Sequence, residues 1–150
     1  MQSRATPVEA ADARIRALKK EMGSALFQQY KQQIFAEIKQ MPSNTKYSDH
    51  MSCLAGKSSF TINWKGEMRP CVILSKPSIS VFDEGFETSW KYVVNETDKI
   101  ELNCKCRTCQ YRPVCRTCAA CALLESGNYD GIPEYMCEYA SISYSLIENS

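Results

Sequence analysis

The sequence predicts an irregular α+β fold, a long N-terminal helix followed by a small β-hairpin and short helices, stapled by metal. Three observations carry this. A single apolar stripe runs through the first forty residues, an alternating stretch begins at Phe60, and nine cysteines crowd the remainder beside one histidine. The chain has 150 residues, one domain's worth by the usual prior. Its 18 Lys+Arg balance 17 Asp+Glu for a net charge of +1, without the basic excess of a nucleic-acid binder. No apolar run reaches the length of a membrane span, so neither nucleic acid nor membrane is an expected partner.

The first element opens with Thr6-Pro7-Val8-Glu9, a capping box with Pro at the first helical position. Ile15, Leu18, Met22, Leu26, Tyr30, Ile34, Ile38 and Met41 then recur every three or four residues. That spacing predicts helix over 7–41, with Gly23-Ser24 as a kink or division and Pro42-Ser43-Asn44 as the stop. From Phe60 the period becomes two: Phe60, Ile62 and Trp64 alternate with Thr61 and Asn63. Lys65-Gly66 reads as the turn and Met68 to Leu74 as the returning strand, which folds Cys53 and Cys71 toward one place. Pro77 and Asp83-Glu84-Gly85 mark loops. A short helix over 89–97 puts Trp90, Val93 and Val94 on one face, and both tryptophans are expected in the core. Further helices are expected over 119–126, stopped by Gly127, and over 133–148.

The N-terminus lacks the apolar segment of an export signal, and the cysteine count is odd, so a reducing cytoplasm is the expected compartment. There, clustered cysteines bind metal. Successive cysteines are 18, 33, 2, 3, 6, 3, 3 and 16 residues apart. The three gaps of 3 are Cys-x2-Cys units: Cys106/Cys109, Cys115/Cys118 and Cys118/Cys121. Two intervening residues make a tight turn that aims both thiolates at one centre. Nine cysteines fill two four-thiolate sites with one to spare, and both structural zinc and [4Fe–4S] clusters satisfy that arithmetic. Three thiols as close as Cys115, Cys118 and Cys121 favour iron–sulfur over zinc. His50 stands in a polar stretch and is expected at the surface or in a cap, not as a ligand. No catalytic acid–base pair, nucleophile or Gly-rich phosphate loop stands out, so the chain is not expected to be catalytic on its own.

The spacing Cys53-x12-Gly66-x4-Cys71, then Cys106-x2-Cys109-x5-Cys115, then a late Cys137, resembles the SPASM domain. That domain is the C-terminal auxiliary extension of radical S-adenosylmethionine enzymes that modify peptides and proteins. The segments Cys53-Leu-Ala-Gly-Lys-Ser-Ser-Phe-Thr-Ile-Asn-Trp-Lys-Gly-Glu-Met-Arg-Pro-Cys71, Cys109-Gln-Tyr-Arg-Pro-Val-Cys115 and Gly127…Pro133-Glu-Tyr-Met-Cys137 carry the likeness over residues 50–140. The resemblance implies two auxiliary [4Fe–4S] clusters with alternating ligands. Cys53 and Cys71 would begin the first cluster; Cys106, Cys109, Cys115 and Cys137 would hold the second. The family's return to the first cluster falls at Ala119, so Cys118 and Cys121 are assigned there, with Cys104 as a spare or substitute. Residues 1–45 would be a helical linker following a missing radical SAM barrel, and 46–150 the SPASM-type domain.

No Cys-x3-Cys-x2-Cys motif occurs, nor the ~200 residues such a barrel needs. S-adenosylmethionine is therefore expected only through that missing core, and the helix stripe is expected to pack on it. The implied partners are the core domain, a substrate peptide or protein, and a reductant such as flavodoxin or ferredoxin. The implied function is electron transfer or substrate positioning within a radical SAM maturase. A zinc-stapled interaction module and an independent ferredoxin-like carrier are the alternatives.

Overall fold

The computed structural model describes residues 4–40, 47–48, 50–51, 53–115 and 118–150. Among them are five α-helices: α1 (Pro7–Gln40), α2 (Val81–Glu84), α3 (Phe86–Asp98), α4 (Ala119–Ser126) and α5 (Glu134–Glu148). An antiparallel sheet has the order β1-β2-β3, from β1 (Thr61–Ile62), β2 (Glu67–Arg69) and β3 (Ile79–Ser80). Chain contacts separate into two compact units. Unit one comprises Met1–Tyr47, Lys105–Arg116 and Ile132–Ser150; unit two comprises Ser48–Cys104 and Thr117–Gly131.

Unit one is helical. Its first helix begins as the capping box predicts: Thr6 N–H donates to Glu9 Oε2 at 2.8 Å, and Glu9 N–H donates to Thr6 Oγ1 at 3.2 Å. The stripe then changes phase. Gly23 leaves helical geometry at φ 71°, ψ 168°, a conformation open to glycine because it has no Cβ. Before the break Ala11 and Ile15 are buried; after it Phe27 and Ile34 are, with Phe27 2% exposed and the expected Leu26 55% exposed. Met41 and the predicted stop at 42–44 lie outside the described residues.

The stripe finds its partner within the chain. Ile15, Phe27 and Ile34 pack with Ile147 of α5, and Val114, Leu18, Met22 and Leu146 close around them. This corrects the expectation of a face left for a missing barrel. Burying each large apolar side chain stabilises the unit by about 1.5–3 kcal/mol. Lys31 Nζ donates to the carbonyl of Glu148 at 2.8 Å, satisfying one of the carbonyls left over at the end of α5.

Unit two is built from short pieces. Thr61 pairs with Arg69 and Ile62 with Met68; on the other side Glu67 pairs with Ser80 and Met68 with Ile79. Met68 is thus central in the sheet and fully buried. The strands are shorter than the alternation predicts, because Asn63 turns the chain early. Its Oδ1 accepts from Lys65 N–H at 2.9 Å and Glu67 N–H at 3.0 Å, an Asx-type turn in place of a strand bond. Trp64 accordingly sits in the turn, 89% exposed, instead of in the core. Trp90 is half-buried, with its ring 5.5 Å from Phe60. The returning strand ends at Arg69 and not at Leu74.

The segment read as a loop at 83–85 holds the end of α2, whose N-cap Ser80 accepts from Asp83 N–H at 3.3 Å. The predicted helix over 89–97 extends to Phe86–Asp98, burying Ser89, Val93 and Thr97. Helices α4 and α5 match their predicted spans within a residue. Met51, Leu74, Ile100, Leu102, Ala119 and Ala120 form the unit's core cluster.

Candidate metal centres

Each unit brings its own cysteines. In unit one, Cys106 lies within a 3₁₀ turn over Cys104–Thr108, and Cys109 follows it directly. The chain then folds tightly: Arg112 N–H donates to Cys109 O at 3.1 Å, and Cys115 N–H donates to Tyr111 O at 2.8 Å. This coils the segment between Cys109 and Cys115 into consecutive tight turns. Cys137 rides on the first turn of α5, where its N–H donates to Pro133 O at 3.0 Å.

Positive charge accompanies these thiols. Arg112, one of three arginines the sequence placed among the cysteines, is buried, with its guanidinium 5.7 Å from the Tyr47 ring centroid. Burial, and then Glu37, push the Tyr47 hydroxyl above its usual range; Arg112 opposes that shift and Cys109 adds to it. Tyr47, Arg112 and Cys109 therefore share one electrostatic neighbourhood. Arg107 is half-buried, and Arg116 lies outside the described residues.

In unit two, Cys71 follows the buried Pro70 at the end of the hairpin. Leu74 N–H donates to Cys71 Sγ at 3.2 Å, the kind of backbone bond that stabilises negative charge on sulfur. Cys71 and Cys118 pack against the same core cluster. Cys118 is the N-cap of α4 and Cys121 lies one turn on, so the two share a face at the positive end of the helix. Ala119 is 0% exposed. A ligand at that position would face the core, whereas Cys118 and Cys121 on either side keep access to solvent.

Cys53 is exposed at the start of a loop in which Lys57, Ser58 and Ser59 N–H all turn back to Leu54 O. The same loop abuts α3 through Gly56, where any Cβ would collide with the Thr97 side chain. Cys104 also belongs to unit two, so the cysteine left over by spacing arithmetic stands with the Cys53 set. Nothing in the spacing signals this.

All nine cysteines are described, and none forms a disulfide. Among the described residues, no group of three or more Cys, His, Asp or Glu side chains is gathered closely enough to hold a metal ion. The chain thus groups its thiols by unit without closing them on a centre. His50 is exposed, and its backbone bridges to Glu101.

No protein-family model, curated protein or solved structure matches this chain. The likeness to the SPASM domain rests on the motifs quoted above. Among the described residues, no helix is long and apolar enough to cross a membrane.

Proposed function

We propose that this chain is a metal-stabilised, SPASM-like auxiliary domain that binds two [4Fe–4S] clusters and serves a radical S-adenosylmethionine core. One cluster would be held by Cys106, Cys109, Cys115 and Cys137, the other by Cys53, Cys71, Cys118 and Cys121. The observation that carries this reading is how the thiols are sorted. Along the chain the two sets alternate, yet the contact units separate them completely: the first set lies in unit one and the second in unit two.

The donor chemistry fits such clusters: nine soft thiols stand beside a single histidine. The open arrangement also fits, because a thiolate site is seldom preformed and metal binding is part of its folding free energy. When bound, the clusters would pass single electrons between a flavodoxin- or ferredoxin-type reductant and the radical site acting on a peptide or protein substrate. The chain's own contributions are backbone donors to sulfur, as at Cys71, and the buried cation at Arg112. Ligands that must stay reduced suit a cytoplasmic protein.

The test is anaerobic purification of the full chain from iron-supplemented cells, with iron, acid-labile sulfide and zinc measured per chain. The expected result is a brown protein with about eight iron and eight sulfide, bleached by reduction. A colourless protein carrying about two zinc contradicts the reading and supports a zinc-stapled interaction module.

A further inference from the structure

Unit two exposes an aromatic face beside an open sheet edge. Phe60 and Ile62 alternate along the start of the hairpin and so lie on one side of it, both exposed, and Trp64 follows in the turn. The Phe60 ring centroid is 5.4 Å from that of Phe86, also exposed, which carries the face onto α3. At the turn the Phe82 ring lies against Gly66, where any Cβ would collide with it, yet Phe82 is 82% exposed. Exposed aromatic surface continuous over several residues marks a site of association.

The edge beside this face shows what kind of partner fits. Asn63 N–H donates to Glu67 O at 3.1 Å, so the hydrogen-bonded rungs between β1 and β2 fall at Asn63 and Thr61. Ile62, between them, directs its N–H and C=O away from β2. Strand β1 ends the sheet order on that side, and among the described residues nothing hydrogen-bonds to these two groups. Such an edge accepts a further strand. Charge then selects the strand's sign. Asp83 and Glu84, exposed next to Phe82, enter no ion pair among the described residues, whereas Glu87 is paired with Lys91 at 2.9 Å. Lys65 at the turn offsets part of this charge, but unit two as a whole carries ten Asp and Glu against six Lys and Arg. That excess opposes pairing with a second copy of this unit and favours a basic partner.

We propose that β1 is a docking edge for an extended, basic peptide segment. The segment pairs with the backbone at Ile62, lays apolar side chains on Phe60, Trp64 and Phe82, and sets a Lys or Arg against Asp83 and Glu84. This deepens the proposed function by giving the peptide substrate a docking surface, and it rests on that reading only for calling the peptide a substrate.

Fluorescence anisotropy of labelled peptides against the full, anaerobically purified chain tests this. The probe is Lys-Lys-Val-Thr-Val-Thr-Val-Lys-Lys. One control replaces each Lys with Glu; another carries N-methyl groups on the Val and Thr nitrogens, which removes the strand's donors. The basic probe should bind, and each control should bind at least about tenfold more weakly. Trp64→Ala should weaken the probe by about tenfold and Phe82→Ala by about threefold. Both side chains are exposed, and circular dichroism checks that the helices persist. Asp83→Asn combined with Glu84→Gln should cost the basic probe about threefold, and Leu26→Ala, in unit one, should change nothing. Absence of binding, equal affinity for the N-methylated peptide, or full affinity in Trp64→Ala overturns the proposal. A dimer, or capture on neutral lipid vesicles, that Trp64→Ala abolishes assigns the face to a second copy or to a membrane and also overturns it. Iron measured on the same samples separates the two readings: an iron-loaded chain that does not bind overturns the docking edge alone, and an iron-free chain that binds overturns cluster binding alone.

Discussion

Unit one and unit two hold their cysteines on different kinds of scaffold. In unit one, the 34-residue α1 packs along α5 through Ile15, Phe27, Ile34 and Ile147, a contact that owes nothing to sulfur. In unit two, strands of two or three residues and short helices surround a small cluster that includes two alanines. Strands this short have little independent stability, and small cores commonly need a metal or a disulfide. The difference teaches that cysteines can ornament one fold and complete another. In unit one a cluster would be added to a framework already packed; in unit two it would supply much of the framework.

The largest expected effect follows from metal removal. Stripping the chain with a chelator under reducing conditions should abolish hydrogen-exchange protection in α3 and α4 while leaving much of it in α1 and α5. Equal loss in both units, or loss first in α1, would break the contrast. Next in size is Phe27→Ala, expected to destabilise unit one by about 3–5 kcal/mol in urea unfolding, whereas Leu26→Ala should cost less than about 1 kcal/mol. Comparable effects at the two positions would contradict the phase change at Gly23.

That phase change also shows what could be read beforehand. The span of α1 was legible because periodicity and end signals agree there, Thr6-Pro7-Val8-Glu9 opening it, and that of α4 because Gly127 marks its end. The choice of Leu26 over Phe27 failed because an unbroken period was carried through Gly23, where the backbone leaves the helix. The hairpin was legible but too long, since a side-chain turn at Asn63 competes with strand pairing and leaves no mark on the alternation. Two-residue β3 has no period to detect. For the candidate centres, residue types and Cys-x2-Cys spacing were visible. The sorting of thiols by unit, and of Cys104 with the Cys53 set, was not, because it depends on contacts between distant segments.

Smaller effects sharpen the same contrast. Gly56→Ala should destabilise unit two by about 1–3 kcal/mol, since the added methyl meets Thr97 and the backbone there has φ 68°. Combining it with Thr97→Ser should recover only a small part of the loss, because the retained hydroxyl oxygen and Cβ still lie 2.4 and 2.6 Å from the added methyl and the backbone strain persists. Thr6→Ala should lower stability by about 1 kcal/mol through loss of the N-cap. At the same cap, hydrogen bonds first from the Thr6 backbone N–H and then from its side chain hold the Glu9 carboxyl below the ordinary range. A depressed carboxyl stabilises the fold above its unfolded pKa and loses that contribution as pH falls through the folded value. The melting-temperature advantage of the native chain over Glu9→Gln should therefore hold at pH 7 and shrink from about pH 5 downward. An advantage independent of pH would show that the Glu9 charge is irrelevant to the cap.

The central claim is that the two thiol sets are independent sites, one in each unit. It is tested most directly by iron counts on paired substitutions in the full anaerobic chain. Replacing Cys106 and Cys109 with serine should leave about four iron, held by the Cys53 set, and replacing Cys71 and Cys118 should leave about four held by the other. Replacing Cys109 and Cys118 together, one from each set, should leave none. Retention of about four iron in that mixed variant, or loss of all iron in either same-set variant, would contradict the account.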